Sequence, residues 1–246
     1  MNNNTDNSKK IGNTQCPECA KNGKDKSQDN LVLYDNGGKN CFSCGYNVRG
    51  DGTISNISVS AGKVQDSYKG ESLFLVDRNL RAETLEKYGV KVEVNTAGEV
   101  TKHHYPYYNK GMMVGLKTRV VKTKQFFGVG DTNASNPLFG QHLFKKGRRF
   151  VTVTEGELDA LAAYEMLGSR YPVVSVNNGA NCVENIKANL EWLDSFETVV
   201  LCFDNDEAGR KATEAISPLL GPNKVQTVTL PDYKDASDYL SNKQSK

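Results

Sequence analysis

The stretch that decides the fold is "TVVLCFDNDEAGR", Thr198–Arg210. A hydrophobic run, Val199 to Phe203, ends on two acids in alternate positions, Asp204 and Asp206. A short continuous apolar run of this kind predicts a strand buried on both faces, as in a parallel sheet. The residues around it keep the pattern. Upstream, "FVTVT" (Phe150–Thr154) predicts a strand, and "ELDALAAYEMLG" predicts a helix stopped by Gly168. "PVVSV" predicts another strand, and "NCVENIKANLEWLDSF" is helical, with Val183, Ile186, Leu190 and Leu193 on one face. Downstream, "DEAGRKATEAISPLLG" predicts a helix and "KVQTVTL" a fourth strand. Strands alternating with helices of this length predict an α/β unit, a parallel sheet with helices on both faces, over residues 150–240.

Sites in such sheets form beyond the carboxyl ends of the strands. The first strand runs straight into Glu155, the third into Asp204 and Asp206, and the fourth into "PDYKDASDYL" with Asp235 and Asp238. Carboxylates gathered at one edge repel one another unless a cation lies between them. Their hard oxygens suit Mg²⁺. Helix capping is the competing explanation for an Asp at a strand-to-helix turn. It accounts for one acid of the DxD pair but not for Glu155 or the acids after the fourth strand.

The other end of the chain has a different chemistry. Cys16-x-x-Cys19 and Cys41-x-x-Cys44 form two knuckles separated by 21 residues. Two thiolates from each give tetrahedral S₄ coordination, the pattern of a structural zinc ribbon over residues 12–49. "NLVLYDNGGKNCF" between them reads as a β-hairpin, and Pro17, Gly45 and the "NGG" turn fit the ribbon. Disulfides would suit an exported protein, but "MNNNTDNSKK" has no apolar signal region and reads as a disordered polar lead. Tyr34, Asp35, Lys39 and Asn40 are the hairpin residues that could face bases. Cys182 and Cys202 stand alone and are expected to be small buried residues. Residues 50–67, polar and rich in Gly and Ser, are expected to be a flexible linker.

Residues 68–149 are expected to be a small mixed α/β region, with a helix from near Arg81 to Gly89 and strands turned at Asn109-Lys110-Gly111. Charge is uneven along the chain. Residues 101–149 hold 10 basic and 1 acidic side chains, and residues 150–246 hold 8 and 15. A basic block beside an acidic one suits a polyanion channel next to a metal site, or two faces that attract each other. In "GLKTRVVKTKQFF", Lys117 and Arg119 share a strand face, as do Lys122 and Lys124, and all four are candidate phosphate ligands. Phe126, Phe127 and Phe139 are expected in the core rather than stacked on bases. His103-His104, followed by Tyr105, Tyr107 and Tyr108, is a polar-aromatic strand with no ligand pattern nearby. No apolar run is long enough for a membrane helix.

"VTEGELDAL", "LCFDNDEAGRKA" and "KDASDYL" resemble the motifs of the toprim domain, shared by bacterial-type primases, type IA and II topoisomerases and some nucleases. The family's glutamate falls on Glu155, its DxD pair on Asp204 and Asp206, and its later acid on Asp235. The whole order of ribbon, linker, basic region and toprim resembles the primase half of the primase–helicase proteins of T7-like phages. "CPEC…CFSCG", "GLKTR", "PLFGQHLF" and "SVNNGA" carry that likeness. The resemblance implies a DNA-dependent RNA polymerase making short primers on single-stranded DNA from ribonucleoside triphosphates. It further implies one zinc ion in the ribbon, which reads the template, and one or two Mg²⁺ ions (with Mn²⁺ as substitute) at the acids. Lys117, Arg119, Lys122 and Lys124 would contact phosphates, and Glu155 would be a water-mediated metal ligand or the general base. A replicative helicase and a DNA polymerase would be partners, and the site of action the cytoplasm of an infected bacterium.

Two departures stand out. No GxxxxGK[ST] helicase motif occurs, so a stand-alone primase or a piece of a longer protein is expected. Gly38 occupies the ribbon turn where the family has a histidine, so a different template triplet is expected. Among enzymes, a toprim nuclease would keep the acids without needing a template-reading ribbon. A topoisomerase needs a larger chain. A non-catalytic nucleic-acid-binding module is the alternative outside enzymology.

Overall fold

The computed structural model describes residues 9–21, 23, 28–41, 44, 46–48, 54–56, 61–221 and 223–243. The polar lead before residue 9, Gly45, and residues 50–53 and 57–60 of the expected linker lie outside them. The chain divides into two compact units, with the boundary between Ser58 and Val59.

The first unit is a five-stranded antiparallel sheet in sequential order: β1 (Lys10–Thr14), β2 (Leu31–Tyr34), β3 (Lys39–Cys41), β4 (Tyr46–Val48) and β5 (Ile54–Asn56). A single helical turn, α1 (Pro17–Lys21), follows the first knuckle cysteine. The hairpin β2–β3 forms as its sequence suggests, with Leu31 paired to Cys41. Among the described residues the apolar core gathers Cys16, Cys19, Leu31 and Cys41, with Leu33 and Tyr46 packed against them.

In the second unit, α2 (Ala61–Ser67) and α3 (Ala82–Tyr88) precede an antiparallel sheet of β6 (Lys91–Val94), β7 (Val100–Asn109), β8 (Met112–Val120) and β9 (Phe126–Gly130). Helix α3 ends on Gly89 at φ 69°, the left-handed cap glycine adopts without steric cost. The turn between β7 and β8 carries Lys110 and Gly111 both at positive φ, the two-residue hairpin geometry expected there. Then come β10 (Phe150–Thr154), α4 (Glu157–Met166), β11 (Val173–Ser175), α5 (Cys182–Ala188), α6 (Leu190–Asp194), β12 (Thr198–Cys202), α7 (Glu207–Ile216), β13 (Val225–Thr227) and α8 (Ala236–Asn242). The sheet is parallel, in the order β11-β10-β12-β13. Two cores flank it. One gathers Val151, Val153, Ile186, Leu193, Val199 and Leu201. The other joins Leu158, Leu161 and Tyr164 of α4 to Leu85 and Tyr88 of α3 and Tyr105 and Tyr107 of β7. The basic region and the parallel sheet therefore share one core within the second unit. Cys182 and Cys202 are buried.

Several expectations need correction. The linker expected at residues 50–67 holds β5, which pairs with β4, and α2. Helix α2 is fixed by Val64, fully buried beside Gly130 of β9. Phe139 is in the core, but Phe126 and Phe127 are each 47% exposed. They lie on β9, the edge strand of its sheet, paired to β8 on one side only. Lys122 and Lys124 sit in the turn after β8, not on a strand, and are exposed. His103 and His104 are both buried and hydrogen-bonded, His103 to the Tyr105 hydroxyl and His104 to Thr118 and Glu93. Burial, with Arg119 nearby, pushes the His103 pKa down to about 4.

Lys117 departs furthest from its expected role. Its Nζ donates to Glu157 Oε1 at 2.7 Å and to the Asn177 carbonyl at 3.0 Å. Glu157 is only 4% exposed and also accepts from the Tyr107 hydroxyl. The lysine thus joins the antiparallel sheet to α4 and to the loop after β11, and a buried carboxylate already takes up its charge. Removing one partner of a buried pair strands the other. Lys117→Ala should lower unfolding free energy by about 3 kcal/mol, read as a shifted urea midpoint. Lys122→Ala and Lys124→Ala should stay within about 0.5 kcal/mol of the parent. Equal midpoints for all three would show that the pair does not hold the sheets together.

Candidate active site

Register places the acids. In the pairing of β10 with β12, Thr154 stands opposite Cys202. The chain therefore leaves both strands at the same height, into Glu155 on one side and Phe203-Asp204 on the other. The backbone N–H of Asp204 favours the charged form of the Glu155 carboxylate. Burial, then the charges of Asp204 and Asp206, push the Glu155 pKa up. Its Oε2 is buried and without a hydrogen-bond partner, and a Cβ on Gly179 would lie 2.6 Å from Oε1. A buried carboxylate oxygen with no donor is costly unless something else binds it.

Asp235 arrives from the loop after β13, at the start of α8. It caps that helix, accepting from the Asp238 N–H at 2.7 Å. Asp238 in turn accepts from the Lys234 N–H at 3.1 Å, so its visible role is to brace the turn. Asp159, not foreseen as a site residue, completes the cluster from the first turn of α4. It accepts from the Ser237 N–H at 3.0 Å, and burial followed by the Asp235 charge pushes its pKa well up. Oxygens of Asp159, Asp204 and Asp235 lie within 4.8 Å of one another, a potential metal-binding site. "EGELD" carried a signal for Asp159, three acids in five residues, but an acid in a first helical turn is also ordinary helix chemistry.

Asp206 stands outside that trio. It caps α7, its Oδ1 accepting from the Gly209 N–H at 2.9 Å. The capping and cation readings thus divide the DxD pair, with Asp206 acting on the cluster through its charge on Glu155. Gly209 is required here, since a Cβ would meet the Asp204 carbonyl oxygen at 2.1 Å. Lys234 was also unforeseen, and its ammonium lies 2.7 Å from Asp204 Oδ2.

Of the basic candidates, Arg119 shares its face with Lys117, opposite His103. It lies 5.9 Å from the Phe126 ring, with Lys117 at 4.9 Å from the same ring. Lys122 and Lys124 are exposed in the turn and present their charge to solvent.

The cysteines form a second potential metal site. The four Sγ atoms lie within 4.8 Å of one another, with Cys16 to Cys44 at 3.5 Å and Cys19 to Cys41 at 3.6 Å. A zinc ion about 2.3 Å from each thiolate makes a tetrahedron with edges of roughly 3.8 Å, so the set fits that ion. In the hairpin, Asp35 and Lys39 are exposed, while Tyr34 and Asn40 are half-buried. Asn40 accepts from Asn47.

Comparison with known proteins agrees with this geometry. The model of the Toprim-like family matches residues 152–240. The DNA helicase/primase of Enterobacteria phage T3 is 34% identical over 239 residues, 91% of this chain and 40% of that protein. The chain thus spans about two fifths of that relative's length. The crystal structure of the primase fragment of the bacteriophage T7 primase–helicase protein superposes with a TM-score of 0.63 at 30% identity, covering 93% of each chain. The T7 primase domains, in a complex of two subunits with the lagging-strand DNA polymerase, an RNA/DNA hybrid and dTTP, match at 34% identity and a TM-score of 0.63. That match covers 72% of this chain and 87% of theirs. With motifs, fold and near-complete overlap with the T7 fragment in agreement, the chain belongs to the family of phage primase–helicase proteins and corresponds to their primase part.

Proposed function

We propose that this chain is a DNA primase, which joins ribonucleoside triphosphates into short primers on a single-stranded DNA template. The convergence of Asp159, Asp204 and Asp235 at the sheet edge, beside the unpartnered oxygen of Glu155, carries the reading. These residues fit one or two Mg²⁺ ions, with Mn²⁺ as a substitute. When bound, such ions supply stabilisation of charge on a transferring phosphoryl group. Asp204 and Asp235 would hold the ion, with Asp159 beside them and Asp206 adding charge from its cap. Glu155 would orient a water on the ion or accept the proton of the attacking 3′-hydroxyl. Lys122 and Lys124, free in an exposed turn, would meet phosphates, and Arg119 would assist from the neighbouring face. Lys117 would act only by bracing Glu157.

Cys16, Cys19, Cys41 and Cys44 would hold one zinc ion, and the ribbon hairpin would read the template. Elemental analysis of protein purified without chelator should give about one zinc per chain, and a value near zero would remove that assignment.

The partners proposed are single-stranded DNA, ribonucleoside triphosphates, a replicative helicase and a DNA polymerase, in the cytoplasm of an infected bacterium. Among the described residues no helix is long and apolar enough to cross a membrane.

The test is incubation with random-sequence single-stranded DNA, labelled ribonucleotides and Mg²⁺. Template-dependent oligoribonucleotides are expected, with Asp204→Asn reducing them at least about 100-fold in kcat, as loss of a transition-state contact does. DNA cleavage without synthesis would make the chain a nuclease, and binding without either would make it a recognition module.

A further inference from the structure

Lys234 is placed with unusual care for a lysine whose side chain is 60% exposed. Its carbonyl accepts from the Asn205 N–H at 2.6 Å, and its own N–H donates to Asp238 Oδ2 at 3.1 Å. The loop that follows β12 and the turn that opens α8 are joined through this one residue. Its Nζ then reaches Asp204 Oδ2 at 2.7 Å and stands 4.0 Å from Asp235 Oδ2. Two of the three clustered carboxylates therefore have the same ammonium beside them. A long, solvated side chain loses rotamer freedom when held in one geometry, and an isolated surface pair seldom repays it. Here the pair is not isolated, because one ammonium serves two carboxylates, Asp204 and Asp235.

The consequence for Asp204 is geometric. With Oδ2 engaged by the ammonium, Oδ1 is the oxygen left to face a cation between Asp204, Asp235 and Asp159. We infer that Lys234 is a positioning residue of this site: it fixes Asp204 for binding through one oxygen, and its charge weakens the cluster's hold on a divalent ion. The ion is then held firmly only when a nucleotide's phosphate oxygens add to the carboxylates. This inference rests on the proposed metal site and adds to it the group that sets its affinity. Its physical basis is that a fixed positive charge a few ångströms from a cation position raises the energy of any ion placed there.

The test is a Mn²⁺ titration of the full chain at low ionic strength, following free Mn²⁺ by electron paramagnetic resonance, with and without a ribonucleoside triphosphate. Without nucleotide, Lys234→Gln should bind Mn²⁺ about tenfold more tightly than the parent, as removal of one nearby charge implies. Lys234→Met, which keeps the aliphatic stem, should do the same, and Lys234→Arg should stay within about twofold. Addition of nucleotide should tighten Mn²⁺ binding more in the parent than in Lys234→Gln. In primer synthesis the Gln variant should need less metal while kcat falls, a split that loss of a mere surface contact would not produce. Parent-like or weaker Mn²⁺ affinity in both Lys234→Gln and Lys234→Met would overturn the inference. A parent protein that binds no Mn²⁺ at these acids even with nucleotide would overturn the metal reading, and this inference with it.

Discussion

Like charges crowded at the end of one sheet are the constraint on which the rest of the structure depends. Thr154 stands opposite Cys202, so the chain delivers Glu155 and Asp204 side by side. α4 and α8 then bring Asp159 and Asp235 against Asp204. Asp159 and Glu155 are partly buried, and burial pushes both pKa values up. Left alone, such a group would protonate or spread apart. The fold opposes spreading with short backbone tethers: Ser237 N–H to Asp159 and Asp238 N–H to Asp235. Each tether is a backbone donor fixed by the start of α8. The cluster is therefore organised before any cation or substrate arrives, which is how electrostatic stabilisation of a reacting phosphoryl group is made effective.

The basic region matters to the same edge by another route. Its β8 sends Lys117 into Glu157, two residues beyond Glu155, and to the carbonyl of Asn177 after β11. α4 carries Glu157 and Asp159 together, so the pair that fastens the two sheets also fixes the helix that supplies a site carboxylate. Positive charge in this protein has three distinct uses. Lys117 is structural, Lys234 sits among the acids, and Lys122 and Lys124 remain available to an anionic ligand. Net charge by segment does not distinguish among them. Partners do.

Much of this was legible in the sequence. The parallel sheet followed from apolar runs alternating with helical segments, and Gly89 and Lys110-Gly111 marked a helix end and a hairpin by backbone preference alone. Asp204 and Asp235 are candidates in the sequence because acids follow its third and fourth apolar runs, and the fold brings their oxygens together. The remainder depended on information that is not local. Whether β9 is central or at an edge decides the exposure of Phe126 and Phe127, and that is a matter of topology. Helix α2, AGKVQDS, carries a single large apolar residue, Val64, too weak a periodic signal to separate it from a polar linker. Lys117 was indistinguishable from a phosphate-binding lysine until the tertiary fold put a buried glutamate against it. Asp206 and Asp235 are both helix caps, yet only Asp235 belongs to the trio, because the start of α8 is hydrogen-bonded to Asp159 of α4.

The central claim is that these carboxylates form a cation site for nucleotidyl transfer. The most direct measurement is the anomalous signal of Mn²⁺ in crystals of the protein grown with the ion and a non-hydrolysable ribonucleoside triphosphate. The account predicts a peak at the carboxyl edge of the parallel sheet, with an Asp204 oxygen about 2.2 Å away and Asp235 facing it. A nucleotide bound elsewhere, with no Mn²⁺ peak at Asp204, would contradict it.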